Sequence, residues 1–335
     1  MKQTLIKAAA VAAVGAAAAL APVTSQAEEI KYASAAPPNS PWANTIQVMI
    51  DNAAEKTGGS LVITPFLGGQ LGDEPTVIQQ VARGRVDMGG FGLTAVSLVV
   101  PELDLLQAPF LWDSLDQAEC ALDNHLITAM QPVFAKRGLV NLGWGEVGYQ
   151  TIFAKEPKLN AADYKELKLR VAPASSSVLA FKAAGANGVV LPPFDINPSL
   201  QTGLVDAAEI NVTFGVLTGV GQQAPHVNLT NHIYQPSLTV MSIKTFDKLP
   251  EAEREALLVA SMPVQQQRAT LRGVQASLTK KLESEGGQFH EMNPGERDLL
   301  KAEMTKTWPA LVESIGEDAP VIWDEILKAK AACTN

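Results

Sequence analysis

Residues 167–177, LKLRVAPASSS, contain the end of a predicted strand and the start of a predicted helix. Apolar residues alternate along the strand, Pro173 interrupts it, and the serines supply an N-cap for a helix over 178–184. Arg170 lies near the carboxyl end of the strand, where open α/β sheets form ligand clefts. Its guanidinium suits a carboxylate or a phosphate. A structural ion pair would explain the same arginine, and this stretch leaves both interpretations open.

Strands and helices also alternate through the N-terminal part of the chain. Strands are predicted over 29–35, 61–66 and 86–90, and the helices between them begin near Trp42 and at Pro75. This order is typical of parallel βαβ units, in which a helix connects two neighbouring strands. The sequence therefore predicts an α/β fold with parallel strands.

Two segments repeat the same short pattern. VARGRVDM at 81–88 and LQTGLVDA at 200–207 each combine a helix end, a glycine that follows the helix, and a strand that begins with Val-Asp. The repetition predicts two α/β domains that are built alike. We expect domain I to comprise 28–148 and 230–250, and domain II to comprise 149–229.

Extended segments are expected to join these domains and to form a hinge. On the way into domain II, the pattern predicts two strands, 138–144 and 149–154. On the way back, it predicts two strand-like pieces within 228–243.

The C-terminal part, 251–335, is predicted to be helical. Apolar residues recur every seven positions from Leu257 to Leu278, and Pro263 is expected to kink this long helix. A helix of that length exceeds one small domain, so we expect it to bridge both. The helices that follow it are expected to pack mainly on domain I.

The first 27 residues are typical of a secretory signal peptide, because a basic start and an Ala-rich apolar run precede the small-residue site that ends at Ala27. The chain is therefore expected in the periplasm. Cys120 and Cys333 remain in this oxidising compartment. They form either a disulfide, which we favour, or two separate buried thiols.

The net charge of −9 argues against nucleic acid and anionic lipid as partners. An anionic ligand must then be held by a local positive site. GWGEVG at 143–148 matches a dinucleotide-binding pattern, but strand-like residues follow it where that motif requires a helix. The four histidines are scattered, which favours surface or capping roles over metal ligation. We therefore expect no enzyme, no cofactor and no metal.

A series of motifs resembles one protein family across nearly the whole chain. The motifs are PPNSPW at 37–42, EKTGG at 55–59, GGQLG at 68–72, GRVDM at 84–88, APFLW at 108–112, the arginine strand at 167–173, QTGLVD at 201–206, EIN at 209–211 and LTNH at 229–232. In this order and spacing, they resemble the periplasmic solute-binding proteins of tripartite ATP-independent periplasmic (TRAP) transporters, of the DctP type.

The resemblance implies a two-domain Venus-flytrap fold that closes on an organic acid, with a long helix across both domains. Such proteins deliver their ligand to a small and a large membrane subunit that use a sodium gradient. Arg170 corresponds to the arginine that binds the ligand carboxylate. Asn211 corresponds to the asparagine beside it, although a turn asparagine after a strand is the alternative.

One departure concerns Gln150, which stands where the family often has a second arginine in a Gly-aromatic-Arg run. The loss of that charge favours a monocarboxylate over a dicarboxylate. Glu209 would face an amine or hydroxyl of the ligand or would stabilise its loop, and Glu74 is a further candidate. Phe91 and Phe214 follow the paired Val-Asp motifs and are predicted as pocket walls.

Two alternatives to a neutral monocarboxylate stay open from the sequence. The first is a zwitterionic, amino-acid-like ligand held by Arg170 at one end and Glu209 at the other. The second is a periplasmic enzyme built on the same scaffold.

Overall fold

The computed structural model describes residues 28–334. The predicted signal peptide, residues 1–27, lies outside the described residues. Within 28–334, no helix is both long enough and apolar enough to cross a membrane.

Strands and helices alternate along most of the described chain. The strands are β1 (Glu28–Ser34), β2 (Leu61–Phe66), β3 (Met88–Gly92), β4 (Leu139–Ala154), β5 (Lys168–Val171), β6 (Asn187–Val190), β7 (Ala207–Asn211), β8 (His226–Ser242) and β9 (Gln288–His290). The helices are α1 (Pro41–Lys56), α2 (Glu74–Arg83), α3 (Leu93–Ser97), α4 (Leu115–Ala121), α5 (Ile127–Lys136), α6 (Ser175–Ala183), α7 (Ile196–Thr202), α8 (Val212–Leu217), α9 (Val220–Gln223), α10 (Ile243–Phe246), α11 (Glu251–Leu258), α12 (Val264–Ser284), α13 (Glu296–Thr305), α14 (Trp308–Ile315) and α15 (Ala319–Ala332). Short 3₁₀ helices cover Pro101–Gln107, Ala161–Tyr164 and Pro193–Asp195, and a π-helical turn covers Leu122–Leu126.

The strands form one mixed sheet in the order β2-β1-β3-β8-β4-β7-β5-β6, with β9 beside β8. In the first half of the sheet, β1 pairs in parallel with β2 and β3. In the second half, β5 pairs in parallel with β6 and β7. The antiparallel strands β4 and β8 lie between these halves. The α/β class with parallel and mixed pairing is therefore confirmed.

The repeated Val-Asp pattern marks equivalent places in the two halves. Gly84 ends α2 in a left-handed conformation (φ 74°), and Gly203 ends α7 in the same way (φ 72°). The strands that follow, β3 and β7, are each parallel to one strand of their own half and antiparallel to one of the two long strands. The inference that both halves are built alike is thus confirmed.

The two crossings are continuous strands, which corrects the prediction of separate short ones. β4 covers both pieces predicted before Ala154, and β8 covers both pieces predicted after Asn228. The register between β4 and β8 shifts at three irregularities, and Gly148 adopts a positive φ of 107° beside one of them. Such irregularities bend a ribbon without ending it, whereas the sequence pattern breaks at each of them. The proposed domain boundaries, 148/149 and 229/230, fall inside these strands.

The helix expected after Pro250 is broken at Pro263 and not kinked. α11 ends at Leu258, and α12 starts afresh with Pro263 as its N-cap, because proline cannot donate within a helix but is tolerated at its start. α12 contacts α1 in the first half and α8 in the second half. Its buried Leu282 belongs to the core of the second half. The bridging role predicted for the long helix is confirmed.

The C-terminal helices divide between the two halves, which differs from the prediction that they pack mainly on domain I. Leu300 and Met304 of α13 join the core around Phe181 in the second half. Ile326 and Ala329 of α15 instead join the main core of the first half. The sequence pattern identified the buried faces of these helices but not the half of the molecule against which each face packs.

A disulfide joins Cys120 to Cys333, with a Cα–Cα distance of 5.8 Å. It fastens the C-terminal end of α15 to α4. Of the two alternatives for these cysteines, the bridge is the one found.

Candidate functional site

A cleft lies where the ends of β3, β5 and β7 meet β4 and β8. It encloses about 1150 Å³, part of it open to solvent. Six of the seven predicted site residues line it, and these are Glu74, Phe91, Gln150, Arg170, Asn211 and Phe214. The seventh, Glu209, lies behind the wall.

Arg170 is buried in the wall of the cleft, with only 1% of its surface exposed. Its Nε donates to the carbonyl of Leu191 at 2.8 Å, and its Nη1 donates to the carbonyl of Glu209 at 2.5 Å. In the described part of the chain, Nη2 makes no hydrogen bond and no carboxylate lies within 4 Å of the guanidinium. Burial lowers the pKa of Arg170 to about 10, which keeps it charged at neutral pH. The alternative of a structural ion pair therefore does not describe this arginine.

Glu209 is fully buried and holds the turn beside Arg170. Its carboxylate accepts hydrogen bonds from Ala172 N at 2.7 Å and Ser177 Oγ at 2.8 Å, and it lies 3.1 Å from His232 Nε2. Burial by itself would raise the pKa of Glu209, but the contacts with His232 and the Ala172 N–H, together with the charge of Arg170, lower it. Glu209 is not among the cleft-lining residues, so its position corresponds to the loop-stabilising alternative and not to direct ligand contact.

The N-terminus of α6 differs from the predicted serine cap. Ala174 is the N-cap residue and provides no side-chain hydrogen bond. Asp104, from the 3₁₀ helix Pro101–Gln107 of the first half, instead accepts from Ser176 N at 3.0 Å and from Ser176 Oγ at 2.6 Å. The carboxylate of Asp104, distant in sequence, thus caps the helix in place of a serine side chain.

Gln150 lies on β4 and is bonded to a second glutamine. Its Nε2 donates to Gln235 Oε1 at 2.6 Å, and Gln235 Nε2 donates to Thr94 Oγ1 at 2.7 Å. All three residues line the cleft. In the described residues, Gln150 Oε1 accepts no hydrogen bond. The polar wall beside Arg170 is therefore uncharged at this position.

Asn211 ends β7 and is the N-cap of α8. Its Oδ1 accepts from Phe214 N at 2.9 Å, which satisfies a backbone donor at the helix start. Its Nδ2 makes no hydrogen bond within residues 28–334, and the residue lines the cleft. Asn211 therefore caps a helix and also lines the cleft.

Glu74 begins α2 and accepts from Gly92 N at 3.1 Å. Burial raises the pKa of Glu74 to about 7, while the hydrogen bond from Gly92 and the charge of Arg170 act in the opposite direction. Glu74 therefore holds its proton to a higher pH than an ordinary glutamate does.

Aromatic rings form one side of the cleft. Phe214 packs against Trp42 of α1, with ring centroids 6.3 Å apart, and against Phe194, with centroids 6.1 Å apart. Phe194 reaches the loop at Gly69, where an added Cβ would lie 2.7 Å from its ring. Phe91 is buried in the opposite half. Residues of the two halves therefore touch at the rim of the cleft.

One group of metal-ligating residues is found in the described part of the chain, and it consists of Cys120, His125 and Cys333. Both sulfurs belong to the disulfide, so they are not available as thiolate ligands. The arrangement is that of a structural bridge.

Comparison with known proteins agrees with this geometry. Residues 32–314 match the model of the DctP family, described as bacterial extracellular solute-binding protein, family 7. The chain belongs to this family. DctP proteins serve TRAP transporters as solute-binding subunits, so the resemblance seen in the motifs is confirmed, and the family is one of transport proteins.

Relatives of this DctP protein match over much of its length. A solute-binding protein of Chromohalobacter salexigens is 25% identical over 304 residues, which are 90% of each chain. The 2,3-diketo-L-gulonate-binding periplasmic protein YiaO of Escherichia coli is 30% identical over 62% of this chain and 64% of its own length. The crystal structure of a TRAP periplasmic solute-binding protein from Xanthobacter autotrophicus, with bound β-D-galacturonate, is 25% identical and covers 90% of this chain and 99% of its own, with a TM-score of 0.84.

Sequence reasoning missed several residues in and behind the cleft. Thr94 and Gln235 line the cleft, yet Gln235 lay in a segment that was predicted only as a strand, and no prediction covered Thr94. His232 was expected at the surface or as a cap, but it is fully buried against Glu209. The strand alternation that buries Thr230 and His232 on one face of β8 was the available signal.

Proposed function

We propose that this protein is the periplasmic ligand-capturing subunit of a TRAP transporter and that it binds a small organic monocarboxylate through Arg170. The observation that carries the proposal is the state of this arginine. It is buried and charged, and two of its nitrogens are fixed by backbone carbonyls, while Nη2 has no partner among residues 28–334 and lies at the cleft.

A buried charge without a direct ion-pair partner is unfavourable, and an anionic ligand that binds it reduces that cost. The carbonyls of Leu191 and Glu209 orient the guanidinium but do not neutralise it. A ligand carboxylate would supply both the charge and the acceptor for Nη2. Because the protein as a whole is acidic, selectivity for an anion has to come from this local site.

The rest of the cleft favours one carboxylate over two. Gln150 replaces the second arginine, and the polar neighbours Thr94 and Gln235 are neutral. Neutral amides and hydroxyls suit a hydroxylated ligand body. Two relatives carry ligands of this chemistry in their names, 2,3-diketo-L-gulonate and β-D-galacturonate, and both are sugar-derived monocarboxylates. We therefore favour a sugar acid or a similar hydroxylated acid.

A zwitterionic ligand is the second candidate, and its partner would be Glu74 and not Glu209. Glu74 lines the cleft and is influenced by the charge of Arg170, whereas Glu209 is occupied behind the wall. An ammonium group near Glu74 would favour its ionised form.

A thermal-shift screen tests the proposal. It would compare uronates and aldonates with the matching aldarates, amino acids and amines, since a binding protein gains stability from its own ligand. A uronate or an aldonate is expected to give the largest increase in Tm, and prolonged incubation is expected to return it unchanged. A best ligand without a carboxylate, or one that the protein converts to product, would contradict the proposal.

A further inference from the structure

A continuous chain of hydrogen bonds runs from the interior of the first half to the cleft, and Asp104 lies at its inner end. Asp104 is buried at the N-terminus of α6, where the N–H and Oγ–H of Ser176 donate to it. Burial raises the pKa of Asp104, while hydrogen bonds from Ser176 and Gln107 act in the opposite direction. As a carboxylate, Asp104 only accepts hydrogen bonds. Each neighbour must therefore present a donor to it.

This requirement sets the direction of every bond that follows. Gln107 Nε2 donates to Asp104 Oδ1 at 3.2 Å, so Gln107 Oε1 accepts from Thr94 Oγ1 at 2.8 Å. The single hydroxyl proton of Thr94 is then used, and its oxygen accepts from Gln235 Nε2 at 2.7 Å. Gln235 Oε1 in turn accepts from Gln150 Nε2 at 2.6 Å. One N–H of the Gln150 amide is thus committed to Gln235, so the amide nitrogen is directed at the interior.

The oxygen of Gln150 is the atom left for the cleft. Oε1 accepts no hydrogen bond from the described residues, and Gln150 lines the cleft. At the same position, the family arginine would present donors. The substitution therefore reverses the hydrogen-bonding character of the wall as well as removing a charge.

We propose that Gln150 selects ligands that present a hydrogen-bond donor, a hydroxyl or an ammonium group, to its Oε1 while Arg170 holds their carboxylate. This inference rests on the proposed function and deepens it. An acceptor at this place, such as an oxo group or a second carboxylate, would face another acceptor and leave both unpaired, which is costly in a buried site.

Asp104 acts as a positioning residue in this selection, and Asp104→Asn tests that role. The asparagine Oδ1 still accepts from Ser176 N, but its Nδ2 now donates to Gln107. Every bond of the chain then reverses, and Gln150 presents Nε2 to the cleft. Ser176→Ala is the matched control, because it removes one donor to Asp104 and leaves the chain from Gln107 to Gln150 intact.

Calorimetric titration at about pH 8, where Asp104 is more fully ionised, would compare hydroxy acids with their oxo counterparts. The probes are D-gluconate with 2-oxo-D-gluconate, and D-lactate with pyruvate. The protein and its Ser176→Ala variant are expected to favour the hydroxy member about tenfold, and Asp104→Asn is expected to abolish or reverse the preference. Equal affinities in the unmodified protein, or an unchanged preference in Asp104→Asn, would overturn the inference. If Arg170→Ala still abolishes binding in that case, the proposed function stands.

Neutron diffraction of the ligand-free protein in heavy water provides a test that needs neither a ligand nor a variant. Deuterium on the side-chain nitrogen of Gln150, directed at Gln235, is the expected result. Deuterium on the atom of Gln150 that faces the cleft would refute the proposal.

Discussion

Arg170 binds the backbone carbonyl of Glu209, at 2.5 Å, and not its carboxylate. The carboxylate of Glu209 is directed instead at Ala172 N, Ser177 Oγ and His232 Nε2. Two opposite charges thus lie close together in the interior without forming a direct ion pair. This arrangement positions the guanidinium and leaves its charge available to a ligand, and it gives Glu209 a separate structural task.

Replacement of Glu209 tests that structural task. Glu209→Gln keeps the shape but loses the charge that its donors stabilise, so the free energy of unfolding at pH 7 should fall by about 2 kcal/mol. The folded-state pKa of Glu209 is lowered, so its contribution is present above the unfolded glutamate pKa and is lost as the pH falls. The difference between the two proteins should therefore shrink below about pH 4.

Urea denaturation across this pH range measures the difference. Glu253→Gln is the matched control, since Glu253 is also buried but its carboxylate accepts one hydrogen bond from the described residues, that of Ser60. If Glu209→Gln lowers the free energy of unfolding no more than Glu253→Gln does, Glu209 does not stabilise the loop.

Glu74 should make the ligand-free protein less stable as the pH rises. Its pKa is raised from 4.5 to about 7 in the folded state, so the folded protein binds more protons than the unfolded chain between these values. Stability then falls through this interval, by up to about 3 kcal/mol for a shift of this size. Glu74→Gln, which can still accept from Gly92, should remove most of that slope. The measurement is the free energy of unfolding of both proteins, by denaturation at a series of pH values from 4 to 8. An equal dependence on pH in the two proteins would contradict the raised pKa of Glu74.

The disulfide should stabilise the fold without affecting the cleft. Cys120 and Cys333 are 213 residues apart in sequence, and a bridge over so long a loop contributes on the order of 4 kcal/mol. Neither cysteine lines the cleft. The double variant Cys120→Ala, Cys333→Ala should thus unfold at lower urea concentration and bind its ligand with unchanged affinity. A loss of affinity in the folded variant would instead connect α15 to the cleft.

The contact between Gly69 and Phe194 should control closure. An added Cβ at Gly69 would lie 2.7 Å from the ring of Phe194, and the residue has a φ of 75°. Gly69→Ala should therefore weaken ligand binding several-fold, because it forces the rims of the two halves apart. Gly203→Ala is the control, since Gly203 has nearly the same φ, 72°, but no atom within 4 Å of the added Cβ.

Both substitutions strain the backbone to a similar degree, at a cost of about 1 kcal/mol in stability. Calorimetry of both variants separates that strain from the contact. Equal losses of affinity would show that the rim contact is unimportant.

The sequence predicted the elements and residues that depend on local chemistry. The strand before Pro173, the left-handed glycines Gly84 and Gly203, and the position of Arg170 near a strand end follow from alternation, turn chemistry and sheet geometry. The six predicted residues that line the cleft were found by their place at strand ends or by family resemblance.

Features that depend on contacts distant in sequence were not predictable in this way. Asp104 caps α6 from 72 residues away, and Gln235 bonds to Gln150 across 85 residues. Glu209 appeared as a ligand residue because its burial behind Ala172 depends on how β5 and β7 pair. The continuity of β4 and β8 was missed because each irregularity interrupts the pattern that identifies a strand.

Calorimetric titration of Arg170→Ala measures how much of the ligand affinity depends on this arginine. The ligand would be the organic acid that gives the largest thermal shift, and Arg85→Ala is the control, because Arg85 is exposed, lies outside the cleft and carries the same charge. Arg170→Ala is expected to weaken binding by a hundredfold or more, because the loss of a buried, charged hydrogen-bond donor costs about 3 kcal/mol, while Arg85→Ala is expected to bind normally. Binding of that acid by Arg170→Ala with unchanged affinity would show that Arg170 does not hold the ligand carboxylate.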